Sequence, residues 1–220
     1  MVWSLFQRKR PDPVLDVLGL RPRDVSARAR DALAILLDQN ASLKAQLKDA
    51  MALADRDPHL PTMNRRAFLR ELARTASYVA RYKTEAAVVF IDLNNFKHVN
   101  DAYGHAAGDA VLKHVTRLIV QNIRDSDRIG RIGGDEFAVL LAQASQDEAQ
   151  AKADGLAAAI AARPCMHAGV RHQIGASVGA FAFRWSDENA TLDPEVLLAR
   201  ADEAMYAAKH AARRTAAANA

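Results

Sequence analysis

At 220 residues, with half of them apolar and a quarter charged, the chain has the balance expected of a globular protein rather than a disordered or membrane-spanning one. A single cysteine, Cys165, excludes an intramolecular disulfide framework, and the seven histidines show no Cys/His zinc spacing, so a cytoplasmic setting is expected. The net charge of +4 and pI of 9.4 permit an anionic partner, densest at Arg8, Lys9 and Arg10, but no aromatic interleaving or nucleic-acid module accompanies them and no nucleic acid is expected.

The apolar run Met1 to Phe6 is too short for a signal-peptide core or a membrane span, so no integral membrane segment is expected. Residues 1–24, broken by Pro11, Pro13 and Pro22, read as a tail. From Asp24 to Asp57 the chain is proline-free and rich in helix formers, which predicts one helix, taken as a unit over 25–57. Ser26, Leu33, Asn40, Leu47 and Ala54 at heptad position a, with Ala29, Leu36, Leu43 and Ala50 at d, give a leucine-weighted seam of about four heptads. A parallel coiled-coil homodimer is one reading, with Asn40 setting register. An amphipathic helix packed on its own domain is the other.

Residues 58–214 read as one domain. Asn64 is placed to cap a helix running to about Tyr82. The apolar run Ala86 to Ile91 ends in Asp92, as a buried strand delivering a carboxylate at its tip. A helix from about Gly108 to Ile123 follows, and then a hairpin around Gly133-Gly134, whose returning strand alternates Phe137, Val139 and Leu141 on one buried face. A helix near Gln146 to Ala162, a strand near Gln173 to Phe183 and a helix from about Pro194 to Arg213 complete the order, with 215–220 as a frayed or disordered tail. An antiparallel hairpin amid mixed helices and strands argues for an α+β sheet covered by helices rather than a doubly wound parallel fold.

Two glycines at the hairpin tip permit a tight turn at positive φ, with Asp135 and Glu136 directly after it. If this strand lies beside the one ending in Asp92, Asp92 and Asp135 converge on hard divalent cations of the magnesium type, and two such ions could clamp a phosphoryl transfer. Taken alone, the tetrapeptide is also what an exposed hairpin tip looks like. The second acid-bearing strand favours a site.

Arg131-Ile132-Gly133-Gly134-Asp135-Glu136-Phe137 resembles the signature of the GGDEF family of diguanylate cyclases. Phe90 to Asp101, Tyr103 to Asp109 and Ala201 to Lys209 are similar to further family motifs in the same order, so the resemblance covers roughly Asp57 to Arg213. It implies a polymerase-palm-like α+β fold in which each domain holds one GTP and two domains meet to make cyclic di-GMP and two pyrophosphates. It also implies magnesium, or manganese in its place, held by Asp92, the Leu93 carbonyl and Asp135, with Glu136 linked to metal or catalysis. Asp135 or Glu136 would take the hydroxyl proton.

By the same resemblance, Asn100 and Asp109 match guanine readers, since a carboxylate accepts from guanine N1–H and its 2-amino group. Backbone N–H groups at Asn95 and Phe96 match the phosphate-wrapping loop, Lys209 and Arg213 match phosphate cations on one helix face, and His105 matches a pocket position. Arg124 and Asp127 match an Arg-x-x-Asp product-binding site through which cyclic di-GMP inhibits. A catalytically silent cyclic di-GMP receptor signalling through the N-terminal helix is the alternative. The chain departs from the family pattern in the middle of Asp57 to Arg66, the turn joining helix and domain, and at Asn94, Ile132 and Ala212.

Overall fold

The computed structural model describes residues 26–185 and 192–218, without the side chains of 48–53, 212–213 and 215–218. The chain divides into two units, Met1–Ala54 and Asp55–Ala220. In the first, helix α1 spans Ala27–Ala54. The Ser26 hydroxyl accepts from the Ala29 N–H at 3.2 Å, which satisfies one of the amides that a helix start leaves open.

The second unit is built on a five-stranded sheet in the order β1-β3-β4-β2-β7. Its strands are β1 (Met63–Asn64), β2 (Glu85–Asn94), β3 (Arg128–Arg131), β4 (Glu136–Ala142) and β7 (Gly175–Arg184). Only β1 and β3 run parallel; the other neighbours are antiparallel. The helices are α2 (Arg65–Tyr82), α3 (Phe96–Tyr103), α4 (His105–Gln121), α5 (Gln146–Ala162) and α6 (Pro194–Ala218), the last running past Arg213. This is the α+β architecture expected. Asn64 caps α2 as its sequence position predicts, its Oδ1 accepting from the Ala67 N–H at 2.9 Å.

Helices cover both faces of the sheet. Ala87, Val89, Ile91 and Leu93 of β2 and Phe137, Val139 and Leu141 of β4 pack with α4 and α5 through Val111, Leu112, Val115, Leu156 and Ile160. Ala86, Val88 and Phe90 with Ala138 and Leu140 face α2 and α6 through Phe68, Leu72, Val79, Leu198 and Met205. β4 is therefore buried on both faces, which corrects the one-faced strand expected from its alternation. Ala138, which took the place of an outward residue in that pattern, is fully buried beneath a helix. Central strands covered on both sides lose the polar half of the period-two pattern.

Besides the two-residue strand β1, two features escaped the sequence reading. One is the short helix α3 between β2 and α4, whose N-cap Asn95 has φ 61° and makes no side-chain cap. The other is a small hairpin of β5 (Cys165–His167) and β6 (Val170–His172), closed by Ala168 at φ 48° and Gly169 at φ 78°, a turn with two left-handed central residues. Gly179 of β7 admits α6 at contact distance, because a Cβ there would lie 2.0 Å from the Met205 backbone nitrogen. That close approach sets how far the side chains one turn beyond Met205 reach over the end of β2.

Candidate active site

The site is laid out by strand register. Asp92, near the end of β2, is the cross-strand partner of Glu136, the first residue of β4, and directly opposed side chains in an antiparallel pair lie about 5 Å apart at Cβ. The Leu93 N–H donates to the Asp135 carbonyl at 3.2 Å, which fastens the hairpin tip to the end of β2. Leu93 turns its side chain into the core, leaving its backbone at the rim. Asp92, Asp135 and Glu136 are thus gathered at one sheet end, half-buried.

The two glycines of the tip serve differently from expectation. Neither Gly133 nor Gly134 has a left-handed φ; the tip closes through the N–H groups of Ile132 and Gly133, which donate to the Glu136 carbonyl at 2.9 and 3.3 Å. Gly133 is required for space, since a Cβ there would meet a Glu136 carboxylate oxygen at 2.2 Å. Arg131, which the sequence reading left without a role, braces the tip from below. Its guanidinium donates to the carbonyls of Gly133 and Gly134 at 2.7–3.2 Å and reaches both Asp57 carboxylate oxygens at 3.4 Å. Asp57 in turn accepts from the N–H groups of His59 and Leu60, so this altered turn is still built around its aspartate.

Burial, followed by the like charges of Asp135, Asp202 and Asp92, pushes the Glu136 carboxyl above its ordinary value of 4.5. Asp202 stands on α6 and shares a cavity of about 290 Å³ with Glu136, Arg65 and Ile132. The sequence reading quoted Asp202 in a motif without assigning it a role. Arg65 opposes the rise at Glu136 from the same cavity, and the cation in direct contact with Asp92 is Lys209, whose Nζ donates to Asp92 Oδ1 at 2.7 Å across 117 residues of chain. Among the described residues, no three His, Cys, Asp or Glu side chains are gathered closely enough to hold a metal ion as they stand. The donor set nevertheless fits a hard divalent ion: it offers carboxylate and carbonyl oxygens, carries uncompensated negative charge, and already draws in an ammonium group as a stand-in cation.

Beside this cluster the first turn of α3 has no side-chain cap, so its N–H groups and positive dipole end are open to an anion. Phe96 is buried and anchors that turn, while Asn95 is exposed. Asn100, later on α3, packs against Gly108 of α4, immediately before Asp109. Asp109 and His105 are exposed on the first turns of α4. The predicted guanine positions Asn100 and Asp109 are thus brought near one another by the packing of α3 on α4. Arg213 lies on α6, but its side chain falls outside the described residues.

Arg124 and Asp127 lie at the other end of β3, a strand length of about 13 Å from the tip. Asp127 is 7% exposed and already engaged: it accepts from the Arg124 N–H at 2.9 Å, the Ser126 hydroxyl at 3.4 Å and the Ala142 N–H at 3.4 Å. The Arg124 side chain is exposed, on a cavity of about 350 Å³ shared with Leu141, Glu148, Lys152 and Leu156.

Residues 52–215 match the family described as "Diguanylate cyclase, GGDEF domain". This chain belongs to the GGDEF family. It is 35% identical over 213 residues to the diguanylate cyclase TpbB of Pseudomonas aeruginosa, covering 94% of this chain and 46% of that protein. The chain thus spans about half the length of that curated relative. The solved GGDEF domain of TpbB superposes with a TM-score of 0.62 at 38% identity, covering 68% of this chain and 91% of that one. The coiled coil and GGDEF domain of DgcB from Caulobacter crescentus, in complex with c-di-GMP, matches at a TM-score of 0.70 and 23% identity, over 82% of this chain and 94% of that one, and speaks for the fold alone. No described helix of this GGDEF chain is long and apolar enough to cross a membrane.

Proposed function

We propose that this chain is a diguanylate cyclase that condenses two GTP molecules into cyclic di-GMP and two pyrophosphates, as a dimer with one GTP per subunit. The observation that carries the reading is the cross-strand pairing of Asp92 with Glu136 at the rim where Asp135 and the uncapped start of α3 also lie. Asp92, the Leu93 carbonyl, Asp135 and Glu136 would hold magnesium, or manganese in its place. When bound, the ion supplies neutralisation of the charge that develops on the transferring phosphoryl group. The α3 amides at Asn95 and Phe96 and the cations Lys209 and Arg213 hold the triphosphate. Asn100 and Asp109 accept from the guanine edge, and His105 borders the base.

One GTP 3′-hydroxyl then attacks the α-phosphate of the GTP on the facing subunit, twice, and most of the rate arises from alignment. Leu36, Leu43 and Leu47 of the heptad seam are 59%, 64% and 56% exposed on a helix about 42 Å long. A second copy of the same seam would bury them. Arg124, free to fork onto a phosphate or guanine edge, supports product inhibition at its cavity. A cytoplasmic setting fits a GTP substrate.

Incubation of the full chain with GTP and magnesium, with linear and cyclic products separated, is expected to give cyclic di-GMP at a rate per chain that rises with the dimeric fraction. Absence of product from a verified dimer would overturn the proposal.

A further inference from the structure

The cation over the carboxylate cluster is part of the protein. Lys209 Nζ sits 2.7 Å from Asp92 Oδ1, with the two side chains only 22% and 20% exposed. The contact is built in by the fold. Lys209 lies one helical turn beyond Met205, the residue whose backbone rests on Gly179 of β7, and β7 is the direct neighbour of β2, with Ser177 opposite Asp92. The helix therefore brings the ammonium group over Asp92, the acid that lies directly opposite Glu136.

A divalent ion arriving alone at Asp92 must displace this ammonium group. The surroundings then offer the lysine no clear gain, because the ion neutralises the acids that attracted it. A divalent ion arriving with a triphosphate is different, since the phosphate oxygens give the displaced lysine a new anionic partner at the same rim. A group that favours one ligand's absence and another's presence couples their binding, and the coupling is reciprocal.

We infer that Lys209 is a positioning residue that exchanges Asp92 for a nucleotide phosphate, so that the metal binds this site tightly only together with nucleotide. This rests on the reading of Asp92 and its neighbours as the metal site. The exchange gives Lys209 two opposed effects on metal affinity: it weakens binding to the nucleotide-free protein and strengthens binding to the nucleotide complex. A lysine that served only to hold the fold, or that met phosphate from a place away from Asp92, would lack the first effect.

The test is a titration of the full chain with Mn²⁺ followed by electron paramagnetic resonance, with and without a non-reacting GTP analogue, on the parent, Lys209→Met, Lys209→Gln and Lys209→Arg. In both neutral variants, Mn²⁺ alone is expected to bind about fivefold tighter than in the parent, and Mn²⁺ in the presence of the analogue about fivefold weaker, within the usual range of coupling between sites. Lys209→Arg is expected to retain the parent's pattern. Unchanged or weaker binding of Mn²⁺ alone in the neutral variants overturns the exchange while leaving the metal site standing. Failure of the parent to bind Mn²⁺ even with the analogue overturns the metal site itself and the exchange with it.

Discussion

The two ends of β3 carry acids in opposite circumstances. At one end Asp127 is buried and accepts from two backbone N–H groups and a hydroxyl. At the other, Asp135 and Glu136 stand beside Asp92 with like charges around them, and Lys209 is the cation drawn to Asp92. A carboxylate whose lone pairs are filled by its own backbone is holding a turn. One kept close to other carboxylates, with its proton affinity raised, is being held at a cost that a ligand can relieve. The contrast sets an Asp127 carboxylate engaged within its own turn, with the Arg124 side chain exposed beside it, against a Glu136 carboxyl held among like charges at the tip.

The sharpest way to break this contrast is to neutralise one acid at each end. Asp135→Asn is expected to lower cyclic di-GMP formation by roughly 10²–10³-fold, the range for removing a charge-stabilising group, while Tm stays level or rises because repulsion is relieved. Retained turnover in that variant would place the chemistry elsewhere.

Asp127→Ala leaves two partly buried N–H groups short of an acceptor and should cost about 1 kcal/mol, a fall in Tm of roughly 3 °C for a domain of this size. Arg124→Ala should leave Tm unchanged and abolish inhibition by added cyclic di-GMP. Equal loss of stability in both variants would erase the distinction between them.

Gly133→Ala probes the tip without touching an acid. The new methyl group must push the Glu136 carboxylate aside, and turnover should fall by about 10- to 100-fold, as misplacement of a reacting group does. Normal kinetics would show that the position of Glu136 is not critical.

The smallest effect lies in the pH dependence of the metal-free protein. Glu136 holds its proton more tightly folded than unfolded, so its contribution to stability is complete below pH 4.5 and is lost as pH rises through the folded value. Tm measured in chelator should carry a shallow downward slope over that window, which Glu136→Gln flattens. A slope unchanged by the substitution would mean that the repulsion at the tip is relaxed in solution.

What the sequence made legible follows from local physics. The run from Ala86 to Ile91 ending in Asp92, the Asn64 cap and the acids after Gly133-Gly134 each carry their structural cause within a few residues, and they anticipated the meeting of the two acid-bearing strand ends. The remainder depends on contacts between distant segments. The burial of Ala138 requires knowing that helices cover both faces. The role of Gly133 depends on where the Glu136 side chain lies. The engagement of Asp127 within the fold could not be read from its own tetrapeptide, because its donors include the Ala142 amide on the next strand. The pairing of Lys209 with Asp92 needs the whole stack of β2, β7 and α6. α3 was hidden because Asn95 starts it from a left-handed conformation without a cap signal.

The central claim is that the rim at Asp92, Leu93, Asp135 and Glu136 is where metal and nucleotide meet. A crystal of the chain with manganese and a non-reacting GTP analogue tests it most directly, through anomalous scattering. The account predicts a manganese peak bound by these residues and by phosphate oxygens, with Lys209 moved from Asp92 to the triphosphate. A fully occupied nucleotide with no manganese at this rim, or with manganese held by other residues, would contradict it.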